Sequence, residues 1–303
     1  MEVKVEQAAD FFRVVDPAYD RFVRAAADDA RFEVVLAGDE FRGENLKLMD
    51  LHGVGSADVS VHPAHATSTR LSGGYVQISA RSIDMERIVL SQVDSSYPAL
   101  ALTARNSIRL TKCGFIDLQH RPSYAGEWLM QMRPGFRADE PAQLHIDQCA
   151  WIGTMQAQNS SLLSLADAQR RWSSVTFDGC VFLANQAGQG IVLGGAGEVT
   201  FRNCFLHTFP AFLVIDAPVT RVTLENCIIL HEGDDWMTFT AAAVDAQERY
   251  VPERIDDDAP QQERIVLLNN RTYARGDAAR IDVEAVKQGH LPEPGALESL
   301  LKR

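Results

Sequence analysis

Lysine is scarce in this 303-residue chain, which has five (Lys4, Lys47, Lys112, Lys287 and Lys302) against 41 acidic residues. The other positive charges are scattered arginines, and the net charge is −12. An acidic chain without a basic stripe offers nucleic acid no electrostatic footprint, so no nucleic-acid partner is expected. The chain also lacks the apolar run of about 18 residues that a membrane helix needs, and its mean hydropathy is −0.13. No membrane partner is expected. The opening Met1-Glu2-Val3-Lys4-Val5-Glu6 has neither the basic nor the apolar segment of a secretory leader. The expected location is cytoplasmic, or outside only as part of an exported assembly. There is no Cys-x-x-Cys pair and no convergent histidine, so no metal is expected. Gly194-Gly195-Ala196-Gly197 follows Leu193 as a tight turn with no helix behind it. It is not a phosphate loop, and no cofactor is expected. What is present, 46% hydrophobic and 23% charged residues, matches a folded chain rather than a disordered one.

The five cysteines carry the pattern. Ile108 to Phe115, Leu144 to Trp151, Val175 to Phe182, Val199 to Leu206 and Val222 to Ile229 share one template: apolar, any, apolar, any, turn residue, Cys, any, apolar. It recurs without cysteine at Ile83 to Leu90 and Ile265 to Thr272, with a weaker copy at Leu46 to Leu51. The copies start 25, 36, 31, 24, 23 and 43 residues apart, a bare repeat of 23 to 25 with insertions. A strand-like stretch precedes most copies, at 75–79, 100–102, 162–165, 191–193 and 212–215. Three short strands per repeat, with period-2 alternation and no room for a crossover helix, predict a solenoid of parallel strands about 4.8 Å apart.

This pattern resembles the right-handed parallel β-helix of the pectin-lyase-like superfamily. Asn203, Asn226 and Asn269, each just before the cysteine position, resemble the asparagine turn between that family's second and third strands. Asparagine tolerates the left-handed conformation such a turn requires. The expected fold is all-β, a right-handed parallel β-helix solenoid of about eight to nine coils. It spans 44–275, after an N-terminal helical cap at 1–43 and before a C-terminal helical tail at 276–303. Asp16-Pro17 reads as an N-cap and first helical residue, opening a helix to about residue 29, with Phe32 to Leu36 as the first strand.

Cysteine occupies an inward position in the template. Cys113, Cys149, Cys180, Cys204 and Cys227 should therefore form an interior column of reduced thiols, continued by Ile88 and Asn270. Parallel, in-register side chains make disulfide geometry awkward.

The resemblance implies that any chemistry would sit outside the first strands. Gln77, Ala101, Ser164, Val192 and Val214 point outward there, and none is a general acid or base. Gly233-Asp234-Asp235-Trp236 resembles the aspartate pair of polygalacturonase-type enzymes, but its companion motifs are missing. The weak catalytic candidates are Asp234, Asp235 and the nearby His231. The segment 117–140 reads as a loop insertion, in which His120, Arg121, Trp128 and Arg137 are candidates for gripping a glycan or an anion.

On the third strands the outward residues are Val181, Phe205 and Ile228, alongside Val192 and Val214 on the first. Stacked apolar residues should be covered, by the excursion 233–264, by the C-terminal helices or by another subunit. These five are the interface candidates. The preferred reading is a non-catalytic scaffold or interaction protein, self-associating or bound to a protein partner. The alternative is a carbohydrate-active enzyme acting as lyase, hydrolase or epimerase.

Overall fold

The structure is a computed structural model. It describes residues 1–25, 30–43, 47–52, 57–91, 94–95, 98–120, 128–135, 142–156, 161–165, 172–216, 219–232, 235–244, 250–254, 264–273, 276–289 and 291–302. The chain is a β-solenoid of about seven turns, with short helices at both ends. That is fewer than the eight to nine coils expected from the repeat spacing.

Each turn lays a strand on each of three faces. The second-face ladder runs from Glu2–Val5 through Arg31–Leu36 and Asp58–Pro63 to Arg221–Glu225 and Ile265–Leu268. The third face is a nine-stranded parallel sheet ending at Arg271–Tyr273. The first face joins the second in one 17-stranded sheet. The junction is made by two 12-residue strands, Tyr75–Glu86 and Leu100–Thr111, which pass from one face to the other. The first half of Leu100–Thr111 pairs with Trp128–Pro134 and the second half with Ala142–Asp147.

Three expectations need correction. Solenoid strands begin at Glu2, so 1–43 supplies coil strands as well as a helix. The stretch Lys47–His52 pairs with Tyr75–Ser79 on the first face, so the weaker template copy there is not one; the early second-face strands are Arg31–Leu36 and Asp58–Pro63. The segment 117–140 is not simply an insertion, because Trp128–Pro134 is its turn's first-face strand.

At the N-terminal end, a π-helical turn over Phe11–Val15 runs into helix α1, Asp16–Ala25. Asp16 has helical φ −57° and lies within this run rather than capping it. Phe11, Val15, Ala18 and Tyr19 are buried against the first coil, with Phe11 edge-on to Phe41 and Tyr19 edge-on to Phe32. The Tyr19 hydroxyl donates to the Ser79 carbonyl at 3.1 Å.

The interior explains the repeat. Aromatic rings stack between coils: Trp151 on Phe182 with centroids 4.4 Å apart, and Phe177 on Phe201 at 4.6 Å. All five cysteines are free and buried. The thiols of Cys113, Cys180, Cys204 and Cys227 lie 3.4–3.5 Å from the carbonyls of Met85, Ile146, Phe177 and Phe201 on neighbouring coils. A small apolar side chain with a weak S–H donor thus fills the column and tacks one coil to the next. Burial pushes the Cys149 and Cys204 thiols well up, and the Cys227 thiol is raised by its bond with Cys204 and by burial. Asn270 ends the column, accepting from the Cys227 amide at 2.7 Å and donating to the Leu224 carbonyl at 2.9 Å.

Candidate functional site

The three outer faces have different fates. On the first, Gln77, Ala101, Gln131, Ser164, Val192 and Val214 stack in register, and Ser164, Val192 and Val214 are buried. On the second, the outward side chains are polar and open over most coils. The third is covered over its later coils by the chain's own C-terminal segment, while Glu40, Arg42 and Arg70 on its early strands are exposed.

That cover is a helical hairpin of α2, Val283–Gln288, and α3, Pro294–Leu301, preceded by a 3-10 turn at Asp277–Arg280. Ile281, Leu297 and Leu301 pack with Ala150, Ile152, Val181, Leu183, Phe205, Ile228 and Leu230 in one buried cluster. Val181, Phe205 and Ile228 are therefore buried under the tail, which corrects their assignment to an interface with another subunit. Val192 and Val214 form a separate buried cluster with Ala211. Two sets of polar contacts pin the hairpin. Lys287 pairs with Asp117 at 2.6 Å, and Glu298 takes Arg271, Tyr273 and Lys302. The Lys287 ammonium loses solvent, which lowers its pKa, but its bonds to Asp117 and Glu284 outweigh this and raise it.

Between the hairpin's tip and the solenoid lies a cleft of about 850 Å³, the larger of the two described cavities. It runs along the corner where second-face strands turn into third-face strands. Asn203, Asn226 and Asn269 hold φ +53° there, as the sequence predicts. The same corner position is Arg87, Lys112 and Gln148 on earlier coils, with φ of 54°, 54° and 51°. Outside glycine and asparagine this conformation costs roughly 1 kcal/mol per residue. Arg87, Lys112 and Gln148 all line the cleft, so strained backbone and long polar side chains coincide in it.

The cleft's charges are mixed. Arg70, Arg87, Lys112 and Lys287 face Asp39, Asp147, Asp178 and Glu293. Arg87 donates to the Ala66 carbonyl at 3.1 Å and pairs with Glu86 at 3.0 Å, while its buried Nε has no partner among the described residues. Asp178 accepts from Asn203 Nδ2 at 2.9 Å. Among the described residues Arg70, Lys112, Asp147 and Glu293 make no ion pair. This is a surface that can hold ionic groups of both signs. Among the described residues no group of three metal-ligating side chains converges.

The other sequence candidates lie elsewhere. His120 sits on a two-residue strand pairing Asp94–Ser95 and Met155–Gln156. Trp128 is half-buried on the first face with the Arg133 guanidinium 5.3 Å from its ring centroid. Arg121, Arg137 and Asp234 fall outside the described residues. His231 ends the strand Ile228–His231, and Asp235 is exposed with its carbonyl accepting from the Ala211 amide. None of His120, Trp128, His231 and Asp235 lines the cleft. The signal that could have found it is the template's turn position, where Arg87, Lys112 and Gln148 align with the asparagines.

Fold and cleft together define a parallel β-solenoid with a helical strap along one face. Comparison of the chain with family models, with curated proteins and with solved structures finds no match.

Proposed function

We propose that this solenoid is a non-catalytic interaction protein of the pectin-lyase-like type. Its strap cleft holds an extended partner segment, peptide or glycan, that carries charges of both signs. The observation that carries this reading is the left-handed backbone at Arg87 and Lys112. Packing alone favours asparagine or glycine at that corner, as later coils have, so the long cations there are placed for contact with a ligand. The left-handed asparagines supply the support for superfamily membership.

The test replaces both cations with the corner's preferred residue. The Arg87→Asn/Lys112→Asn variant is expected to gain about 1–2 kcal/mol of stability through relief of strain. It should also lose the ligands that wild type retains on arrays of charged peptides and glycans. A stabilised variant that keeps every ligand would refute the reading.

Self-association is the second part of the proposal. Its support is the last coil, where Leu267 and Leu268 are 55% and 43% exposed on strand Ile265–Leu268.

A further inference from the structure

The open second face carries a smaller trough of about 320 Å³, away from the strap cleft. Two rows of outward side chains form it. Arg31, Asp58, Ser82, Ser107 and Gln143 stack in one row, and Ser60, Asp84, Arg109 and His145 in the next. Arg81 neutralises Asp58 through a two-pronged ion pair at 2.7–2.8 Å. That leaves the guanidiniums of Arg31 and Arg109 on either side of the Asp84 carboxylate. None of these three makes a side-chain hydrogen bond or ion pair among the described residues. Ser60 is the buried member of the floor. It is only 4% exposed, it lines the trough, and among the described residues its Oγ has no hydrogen-bond partner. A buried hydroxyl left unpaired is destabilising, and a ligand hydroxyl that paired with it would remove that cost.

We propose that this trough binds a hydroxylated oxyanion of monosaccharide size, with Arg31 and Arg109 on the oxyanion and Ser60 and Asp84 on the hydroxyls. Guanidinium forks match carboxylate and phosphate alike, and a lone carboxylate between them accepts from hydroxyl groups. The volume suits one sugar ring. The inference stands apart from the cleft, because the two cavities share no lining residue.

The experiment is calorimetric titration of the whole chain with glucose 6-phosphate, glucuronate, glucose and inorganic phosphate. One of the first two should bind at least about tenfold tighter than glucose or phosphate, and which one does so distinguishes phosphate from carboxylate. Arg109→Gln should remove about tenfold or more of that affinity. Ser60→Ala should weaken binding about fivefold while raising the thermal midpoint of the free protein, a pairing that a merely structural serine would not give. Arg87→Asn/Lys112→Asn should leave this binding intact whatever becomes of the cleft. No binding by either sugar anion would overturn the proposal. So would phosphate alone matching the sugar phosphate, or affinity indifferent to Arg109→Gln and Ser60→Ala.

Discussion

Asp58 and His62 share the strand Asp58–Pro63, and folding moves their protons in opposite senses. The hydrogen bonds from Arg81 hold the Asp58 carboxyl below the ordinary carboxylate range, against the opposing effect of burial. A depressed carboxylate contributes stability that is present above its unfolded pKa and lost as pH falls through the folded value. For His62, burial lowers the pKa, but its bonds to the Pro63 carbonyl at 3.0 Å and to Glu33 at 2.7 Å outweigh burial and raise it. A raised histidine contributes stability that is present below its unfolded pKa and lost as pH climbs through the folded value. Stability should therefore peak in mildly acidic solution, between the carboxylate and histidine ranges. Urea midpoints across about pH 3 to 9 should show Arg81→Met flattening the acid limb and Glu33→Gln the neutral limb. Variants whose limbs match wild type would disprove both assignments.

At the scale of elements, the strap settles what covers the third face. Phe205 is fully buried beneath it, in one cluster with Ile281, Leu297 and Leu301. Phe205→Ala should cost about 3–5 kcal/mol, as large-to-small changes in a packed core do, and should leave the molecular mass in solution unchanged. A loss of mass with little loss of stability would mean that another subunit shares the cover. The sequence foretells that Val181, Phe205 and Ile228 need covering, because stacked strands repeat every outward side chain at one spacing. It does not choose among three covers, since that depends on how a tail some 70 residues away folds back. The template reveals the coils from 83 onward because five successive copies carry cysteine at the interior position, and the copies at Ile83 and Ile265 keep the flanking pattern with Ile88 and Asn270 there. The early strands Arg31–Leu36 and Asp58–Pro63 lack cysteine, so their register escapes the template, and with it the Arg31, Ser60 and Asp84 rows of the trough. Trp128–Pro134 escapes for a different reason. Met130 and Met132 are its inward residues, Leu129 is buried beside them, and a proline closes it, which gives no clean alternation to read. The corner was visible only where asparagine advertises it. Arg87, Lys112 and Gln148 hold the same conformation against their own preference.

Among the described residues the molecule is closed at one end and open at the other. The N-terminal helical segment buries Phe11, Val15 and Tyr19 on the first coil. At the far end, Ile265–Leu268 and Arg271–Tyr273 each pair on one side only among the described residues. Leu267 continues the inward series Phe177, Phe201, Leu224, yet it is more than half exposed. The outward series changes character at the same coil, from Thr223 and Glu225 to Val266 and Leu268. An edge strand with apolar side chains on both faces is a template for pairing, and a protein that keeps its edges apart usually charges or covers them. Here the charge disappears where the edge begins. End-to-end association of two copies would bury Leu267 and satisfy the free backbone edge together. Sedimentation at tens of micromolar is expected to show a dimer for wild type and for Phe205→Ala, and a monomer for Leu268→Lys, which restores charge to the edge. A wild-type monomer under those conditions would mean that the open end is tolerated bare, and the self-association half of the proposed function would fall while the cleft and the trough stood.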